Sequence, residues 1–294
     1  MNVIASPSTR KLALELGLDI EELAIRLGRN TISQDDLKQK KVLITEGVTS
    51  DALKYWDVDH TRWGKIKTEP LNKTASVALT NLMAANKIIP SVTHHDSGKI
   101  DRIEKLRKNL KNEDKKITQL AFHVLVLAKC LSSFPRFNSS LSTDFKHLIL
   151  KDYINIGIAV DTPFGLVVPV IRNVNLLNLS EVSQKLVDFA DRAQRKRLRP
   201  NELGGASMTI SSLGGIGGES FTPIVNPPEV AILGISKMDI RPVWDGEKFI
   251  PSAEVPLDLT YDHRIINGAE AARFLKYYTT LLDRPEELVL DRVT

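Results

Sequence analysis

The chain has 294 residues, of which 42% are hydrophobic and 26% charged, and its formal net charge is +4. These values are typical of a soluble globular protein, and the length predicts one large domain plus a small one. A charge this mild argues against a nucleic-acid partner, whose binding protein would carry a concentrated basic face with aromatic readers.

The small unit comes first along the chain. Ser6 is placed to cap a helix that has Pro7 at its first position and Gly17 at its end. Ser33 and Asp36 have the spacing of a capping box before a second helical run. We therefore predict a small all-α domain at residues 1–40. A unit this small is marginal alone, which favours a role in binding a partner.

The periodicity weakens after this unit, and we predict a linker at residues 41–68. Residues 69–294 then alternate short apolar strands with amphipathic helices, which predicts an α/β domain. The predicted strands are Ser91–His95, Ile154–Val160, Gly165–Val170, Ser207–Ser211, Val230–Ile235 and Val255–Tyr261. The predicted helices are Ile100–Leu110, Thr118–Phe134, Ser180–Arg197 and Ala269–Leu282.

The apolar helix at 118–134 contains Cys130, which is the single cysteine of the chain. One cysteine excludes an intramolecular disulfide and favours a reducing compartment. His123 and Lys129 interrupt the apolar run, so it predicts a core helix with a buried thiol and no membrane span. No apolar leader is visible at the N-terminus. We expect a cytoplasmic protein with no membrane partner.

Two features resemble binding motifs only superficially. Adjacent strand residues point to opposite faces, so His94, His95 and Asp96 do not form a metal site, and we expect no metal. The run SLGGIGGESF (212–221) is glycine-rich, but it lacks the dinucleotide fingerprint and is followed by prolines where a helix should start. Its glycines favour tight turns, which would leave Ser211 at a strand end.

His263 stands in the run LTYDHRIINGAEAARF (259–274), at a junction between a strand and a helix. From spacing alone, a buried structural histidine and a functional imidazole both remain open.

Family resemblance narrows that choice. YDHRIING resembles the Asp-His-Arg-x-x-x-Gly motif of the dihydrolipoyl acyltransferases of 2-oxo-acid dehydrogenase complexes, which are related to chloramphenicol acetyltransferase. FPRFNSSL, YINIGIAVDTPFGLVVPVIRNV and SMTISSLGGIGGESFTPIVNPPEVAILGISK resemble further blocks of the same catalytic domain, in the same order. The third block is most similar to the pyruvate-type, acetyl-transferring branch. SPSTRKLALELGLDIEEL resembles the peripheral subunit-binding domain of these proteins.

The resemblance implies a two-layer domain with a mixed sheet, like that of chloramphenicol acetyltransferase. It implies homotrimers that build a 24-subunit cube, with each active site between two subunits. Acetyl would pass from dihydrolipoamide to coenzyme A, as in the core of the pyruvate dehydrogenase complex. His263 would be the general base, Ser211 would stabilise the oxyanion, and Asn267 would orient the site.

The resemblance also implies partners. Arg10 and Lys11 match the basic pair through which the small domain would meet the decarboxylating dehydrogenase and dihydrolipoyl dehydrogenase components. The alternative is that both are solvated helix charges. No lipoyl-lysine turn is visible, so we expect the lipoyl group on a domain outside this sequence.

The chain departs from the family pattern in four places. Asn267 replaces an aspartate, Ala84 an arginine, and Thr31 and Leu14 lie where a glycine and an arginine are expected. Thr31 and Leu14 leave the choice of partner open, and two other functions also stay open. One is a catalytically silent scaffold that docks a partner enzyme, and the other is an acetyltransferase for small soluble acceptors.

Overall fold

The structure is a computed structural model that describes residues 3–15, 19–27, 30–34, 36–37, 57–111, 117–286 and 288. The chain forms two compact units, residues 1–70 and 71–294. The predicted boundaries at residues 40 and 68 stay a prediction, because most of the predicted linker lies outside the described residues. Residues 57–68 contain a short 3-10 helix, His60–Trp63.

The described part of the first unit contains helices α1 (Pro7–Glu15) and α2 (Ile20–Leu27), and residues 34 and 36–37, after Ser33, are also helical. The predicted caps are confirmed. The Ser6 hydroxyl accepts a hydrogen bond from the Thr9 amide at 3.1 Å, and Ser33 and Asp36 bond reciprocally through side chain and amide. The structure adds a parallel pairing of two short strands, β1 (Ile4–Ala5) and β2 (Thr31–Ile32). The predicted end of α1 at Gly17 lies outside the described residues.

The second unit is built on a seven-stranded mixed sheet with the order β10-β11-β9-β8-β6-β7, in which β3 also pairs with β11. Its strands are β3 (Ser91–Lys99), β6 (Ile156–Ile158), β7 (Val170–Ile171), β8 (Met208–Ser212), β9 (Ala231–Ile235), β10 (Asp239–Trp244) and β11 (Phe249–Asp262). A separate hairpin pairs β4 (Ser139–Leu141) with β5 (Leu148–Leu150). Parallel and antiparallel pairs occur side by side, so the prediction of a mixed sheet is confirmed.

Five α-helices lie in the described part of this unit. They are α3 (Lys73–Ile88), α4 (Asp101–Lys111), α5 (Gln119–Ser133), α6 (Leu179–Gln194) and α7 (Gly268–Leu282). The sequence predicts the last four to within three residues at each end. It does not predict α3, β4, β5 or β10.

The main core packs helices against one face of the sheet. Helix α5 is buried almost all round, as its apolar run predicts, and Cys130 is fully buried within it. Ile210, Leu233 and Leu257 point into this core from β8, β9 and β11. On each of these strands, the residues that alternate with the core residues face the other side of the sheet. There Ile232 of β9 packs in a smaller cluster with Ala85 and Ile89 at the end of α3 and with Val225.

Candidate active site

His263 follows the last residue of β11, in the turn that leads to α7. Its amide donates a hydrogen bond to the Pro90 carbonyl at 3.1 Å, which ties the turn to the start of β3. The imidazole is exposed and lies 5.9 Å from the Tyr261 ring, centroid to centroid. Among the described residues, its ring nitrogens have no hydrogen-bond partner. A buried structural histidine is therefore excluded within the single chain.

The acid and the base beside His263 bond to each other. Arg264 donates to both carboxylate oxygens of Asp262, from Nε to Oδ1 at 2.9 Å and from Nη2 to Oδ2 at 2.6 Å. The Asp262 carbonyl accepts the amides of Ile265 and Ile266, each at 3.0 Å. Arg136 then donates to the Ile265 carbonyl at 2.6 Å. These contacts stabilise the turn, and none of them involves the imidazole of His263.

Asn267 ends the turn. Its side-chain oxygen accepts a hydrogen bond from the Glu270 amide at 2.9 Å, and Asn267 is the N-cap of α7. The structure thus gives the amide a definite contact, which fixes where the turn stops and the helix begins. The orienting role of Asn267 in catalysis stays a prediction; in the single chain its side chain caps α7.

Ser211 lies near the end of β8, as predicted, and is half-buried. Its Cα pairs with Gly234 of β9, and Gly234 pairs with Asp258 of β11. Residues paired in this way share a face of the sheet. Ser211 therefore faces away from the main core, because its neighbour Ile210 lies inside it. Within the part of the chain described, the Ser211 hydroxyl has no hydrogen-bond partner.

Ser211 and His263 are far apart within one chain. Asp258 is level with Ser211, and His263 lies roughly 17 Å further along β11 at about 3.4 Å per residue. Two strand spacings, roughly 10 Å, add a lateral separation. These two side chains cannot act on the same reacting atoms from one chain. The expectation that they come from neighbouring chains stays a prediction.

Two groups of the site are not singled out by the sequence patterns. Asp258 is 1% exposed and accepts hydrogen bonds from Ser220 Oγ at 2.8 Å and the Phe221 amide at 3.1 Å. His95 Nδ1 lies 2.6 Å from the same carboxylate. A signal was available, since an aspartate inside the apolar alternation of β11 requires partners for its charge.

Glu229 is the second group, and it lies just before β9. Burial raises its pKa to about 7, against hydrogen bonds from Thr209 and Asn226 and the nearby charge of Lys151. The two bonds reach Oε1, each at 2.9 Å, whereas Oε2 is buried without a hydrogen-bond partner among the described residues. Thr209 lies on the same face of β8 as Ser211, so this carboxyl belongs to the surroundings of the candidate site.

Other candidate residues lie elsewhere. Burial lowers the pKa of His123 to about 3 and raises that of Cys130. Both belong to the interior of α5. In the first unit, Arg10 and Lys11 are exposed on α1, where the Arg10 guanidinium donates to the Val3 carbonyl at 2.8 Å.

Across the described ranges, no cluster of three or more His, Cys, Asp or Glu side chains could hold a metal ion. None of the helices that the structure describes has the length and apolarity needed to cross a membrane.

Residues 64–290 match the family model of the 2-oxoacid dehydrogenases acyltransferase catalytic domain. The chain is 40% identical over 297 residues to the dihydrolipoyllysine-residue acetyltransferase component of the pyruvate dehydrogenase complex of Cupriavidus necator. That alignment covers 95% of this chain and 53% of the relative. The same component of Pseudomonas aeruginosa is also 40% identical, over 98% of this chain and 55% of the relative. The chain thus spans about half the length of these relatives.

The chain is also similar to solved structures of this family. The cubic core of a pyruvate dehydrogenase multienzyme complex matches with a TM-score of 0.76 and 43% identity, covering 79% of this chain and 98% of that one. A structure of the Azotobacter vinelandii dihydrolipoamide acetyltransferase matches with a TM-score of 0.77, 43% identity and the same coverage. It comes from an investigation of a serine, a histidine and an asparagine in the catalytic mechanism of that enzyme.

Proposed function

Because the chain belongs to the 2-oxoacid dehydrogenase acyltransferase family, we propose that it transfers an acetyl group from a dihydrolipoyl thioester to coenzyme A. The observation that carries this proposal is the exposed, unpartnered imidazole of His263 on a turn braced by Asp262 and Arg264. The serine, histidine and asparagine studied in the Azotobacter enzyme follow one another at the same sequence intervals as Ser211, His263 and Asn267.

The chemistry assigns a role to each group. His263 takes the proton from the thiol of coenzyme A, whose ordinary pKa is about 8.5 by the cysteine reference. The sulfur attacks the thioester carbonyl, and the Ser211 hydroxyl donates a hydrogen bond to the oxyanion that forms. As the intermediate collapses, the carbon–sulfur bond to the lipoyl group breaks and His263 returns its proton to the departing sulfur. No acyl-enzyme is needed, because both substrates bind together.

The assembly follows from the distance between the two groups. Ser211 and His263 lie too far apart in one chain to share a substrate, so we propose that they meet across the interfaces of a homotrimer. The similarity to a cubic core supports trimers that form a 24-subunit cube, the core of a pyruvate dehydrogenase complex. The bacterial relatives and the single cysteine support a cytoplasmic location.

Mixing two inactive chains tests both the reaction and the interface. His263→Ala and Ser211→Ala chains are co-expressed with different tags, and assemblies that carry both tags are isolated. Acetyl transfer from acetyl-coenzyme A to dihydrolipoamide is then measured. If neighbours complete each site, random mixing in a closed ring leaves about one site in four with both native residues.

The mixed assemblies should therefore recover about a quarter of the native rate, while each variant alone stays inactive. Mixed assemblies as inactive as the single variants would contradict a site shared between chains. A native chain without acetyl transfer would contradict the proposed reaction itself.

The first unit supplies the proposed docking function. Arg10 and Lys11 are exposed together on α1, and we assign them to an acidic surface on the decarboxylating dehydrogenase or the dihydrolipoyl dehydrogenase. The test is a binding titration of the whole chain with each enzyme, comparing the native protein with Arg10→Glu/Lys11→Glu. Lys65→Glu/Lys67→Glu makes the same charge change on exposed residues and serves as the control. Equal weakening by both pairs would contradict specific docking.

A further inference from the structure

Asp258 is held by three donors. Ser220 Oγ donates to Oδ1 at 2.8 Å, His95 Nδ1 lies 2.6 Å from the same oxygen, and the Phe221 amide donates to Oδ2 at 3.1 Å. The carboxylate is 1% exposed, whereas the His95 side chain is 53% exposed. A buried carboxylate with both oxygens bonded is a rigid anchor, because its partners cannot be exchanged for water.

This cluster contains a serine, a histidine and an aspartate, but it is not a hydrolytic triad. In such a triad the serine hydroxyl bonds to the imidazole nitrogen opposite the one that faces the carboxylate. Here Ser220 Oγ lies 3.0 Å from Nδ1 of His95, the same nitrogen that faces Asp258. Ser220 is therefore bonded to the carboxylate as a tether and is not activated as a nucleophile.

The tether fixes the position of an aromatic ring. Ser220 and Phe221 end the glycine-rich segment 213–221, and Asp258 bonds to both. Gly234 lies between Asp258 and Ser211 in one row across the sheet. A Cβ on Gly234 would lie 2.8 Å from Cζ of Phe221 and 3.1 Å from Cβ of Asp258. The Phe221 ring thus occupies the place of the missing side chain.

The ring borders the candidate site as a consequence. Neighbouring strands are about 4.8 Å apart. The ring over Gly234 of β9 therefore lies one strand spacing from Ser211 of β8, on the same face of the sheet. Ser211 is the group that would hold the carbonyl oxygen of the acyl group, so the acyl chain would extend from a point beside this ring.

We propose that Phe221 forms a wall that limits the length of the transferred acyl group, and that Asp258 is the positioning residue that holds this wall through Ser220 and the Phe221 amide. This inference rests on the proposed acetyl transfer. It assigns a specificity-determining role to Phe221, whose ring faces the acyl group. Asp258 acts only through Phe221, and Gly234 must lack a side chain because the ring takes its place.

The test is the ratio of the butyryl-transfer rate to the acetyl-transfer rate from the two acyl-coenzymes A to dihydrolipoamide. This ratio does not depend on the fraction of active protein, so a loss of folded enzyme leaves it unchanged. Phe221→Ala removes the wall. Asp258→Asn leaves one acceptor oxygen for the three donors, and Ser220→Ala removes one of the two tethers at an exposed position. We expect the ratio to rise at least about tenfold in Phe221→Ala and less in the other two, because a methylene is worth about 10–200-fold in a fitted pocket.

Thr260→Val is the matched control. Thr260 lies on the same strand and face as Asp258, is fully buried, and bonds across to Thr93 at 2.8 Å; the described hydrogen bonds do not link its side chain to segment 213–221. Its ratio should equal that of the native protein. An unchanged ratio in Phe221→Ala and Asp258→Asn, or an equal rise in Thr260→Val, would overturn the inference.

The two proposals fail in different ways. A native chain that transfers no acyl group contradicts the proposed reaction. In that case amide hydrogen exchange still tests the tether, since exchange in 213–221 should be faster in Asp258→Asn and unaltered in Thr260→Val. Equal exchange in both variants would overturn the tether whatever the activity.

Discussion

Asp262 and Arg264, which flank His263, form an ion pair with three side-chain hydrogen bonds: Nε lies 2.9 Å from Oδ1 and 3.2 Å from Oδ2, and Nη2 lies 2.6 Å from Oδ2. Asp262 is 3% exposed, whereas His263, which lies between Asp262 and Arg264 in the sequence, is exposed. The carboxylate also raises the pKa of the Arg264 guanidinium through these hydrogen bonds. The acid and the base of the motif therefore stabilise the turn, and neither bonds to the imidazole between them.

Replacing Arg264 by methionine should destabilise the protein. Asp262 keeps a bond from the Arg264 backbone amide, at 3.0 Å, but it loses three side-chain bonds and stays buried. An under-paired buried carboxylate costs about 1–3 kcal/mol. The thermal midpoint, measured at fixed protein concentration, should fall by several degrees. Lys67→Met breaks an exposed pair with Glu69 and should shift the midpoint little. Equal shifts in both variants would contradict a structural role for the Arg264 pair.

Replacing His263 by alanine should remove most of the acetyl-transfer activity while the assembly stays intact. General base catalysis contributes about 10²–10⁴-fold, and we expect a loss in that range. The imidazole is exposed and lacks a hydrogen-bond partner among the described residues, so the fold should not depend on it. The rate of acetyl transfer from acetyl-coenzyme A to dihydrolipoamide is measured, and the size of the assembly is checked by sedimentation. His60→Ala removes another exposed imidazole and should leave the rate unchanged. A native rate in His263→Ala would refute the assignment.

Replacing Ser211 by alanine should lower the rate by about 10²–10³-fold, the usual effect of losing one oxyanion donor. The fall should appear in kcat more than in KM, because the bond strengthens as the oxyanion forms. Ser212→Ala is the control, since Ser212 is the next residue of β8 and points to the opposite face. Equal losses in the two variants would show that strand packing, and not the Ser211 hydroxyl, explains the effect.

The elements that the sequence predicts have a local hydrophobic pattern, and the elements that it does not predict lack one. Helix α5 is an almost continuous apolar run, and α7 carries strong apolar periodicity. The strand residues around Ser211 and His263 are apolar runs bounded by turns, so local patterns locate all of these elements. The sequence does not predict helix α3, because much of its apolar surface is exposed in the single chain, as at Leu82 and Met83, and gives no amphipathic pattern. The edge strand β10 was missed because it alternates around Pro242.

The sequence likewise predicts only some of the residues of the candidate site. His263 and Ser211 were placed through family blocks that hold them in order along the chain. The Asp258 anchor was not, because its partners His95, Ser220 and Phe221 come from distant parts of the sequence. Only the pairing of β3 with β11 and the path of segment 213–221 bring them together, and neither leaves a local pattern.

The N-cap contact of Asn267 predicts different effects on stability for two substitutions at this position. Asn267→Ala removes the acceptor of the Glu270 amide and should cost about 0.5–2 kcal/mol. Asn267→Asp keeps an acceptor oxygen at a helix N-terminus, so stability should be preserved and the acetyl-transfer rate should change only modestly. Thermal unfolding and the rate are measured for both. A complete loss of activity in Asn267→Asp with stability unchanged would show that the amide group itself takes part in the reaction.

Glu229 predicts how stability depends on pH. Burial raises its pKa from an ordinary value near 4.5 to about 7, so the folded protein holds a proton that the unfolded chain releases. The folded state then binds more protons between these two values, and stability must fall as the pH rises through this window. Lys151, whose pKa burial lowers, is the cation that opposes this effect.

Glu229→Gln should remove this dependence, because glutamine stays neutral while its carbonyl oxygen can still accept from Thr209 and Asn226. Between pH 5 and pH 8, the free energy of unfolding of the native protein should fall by about 2–3 kcal/mol relative to that of Glu229→Gln, at about 1.4 kcal/mol per pKa unit. Glu247→Gln changes an exposed carboxylate in the turn after β10 and should keep the native pH profile. Denaturant unfolding of the three proteins at both pH values checks this. Parallel profiles for the native protein and Glu229→Gln would mean that Glu229 is already charged in the folded state, with Lys151 outweighing its burial.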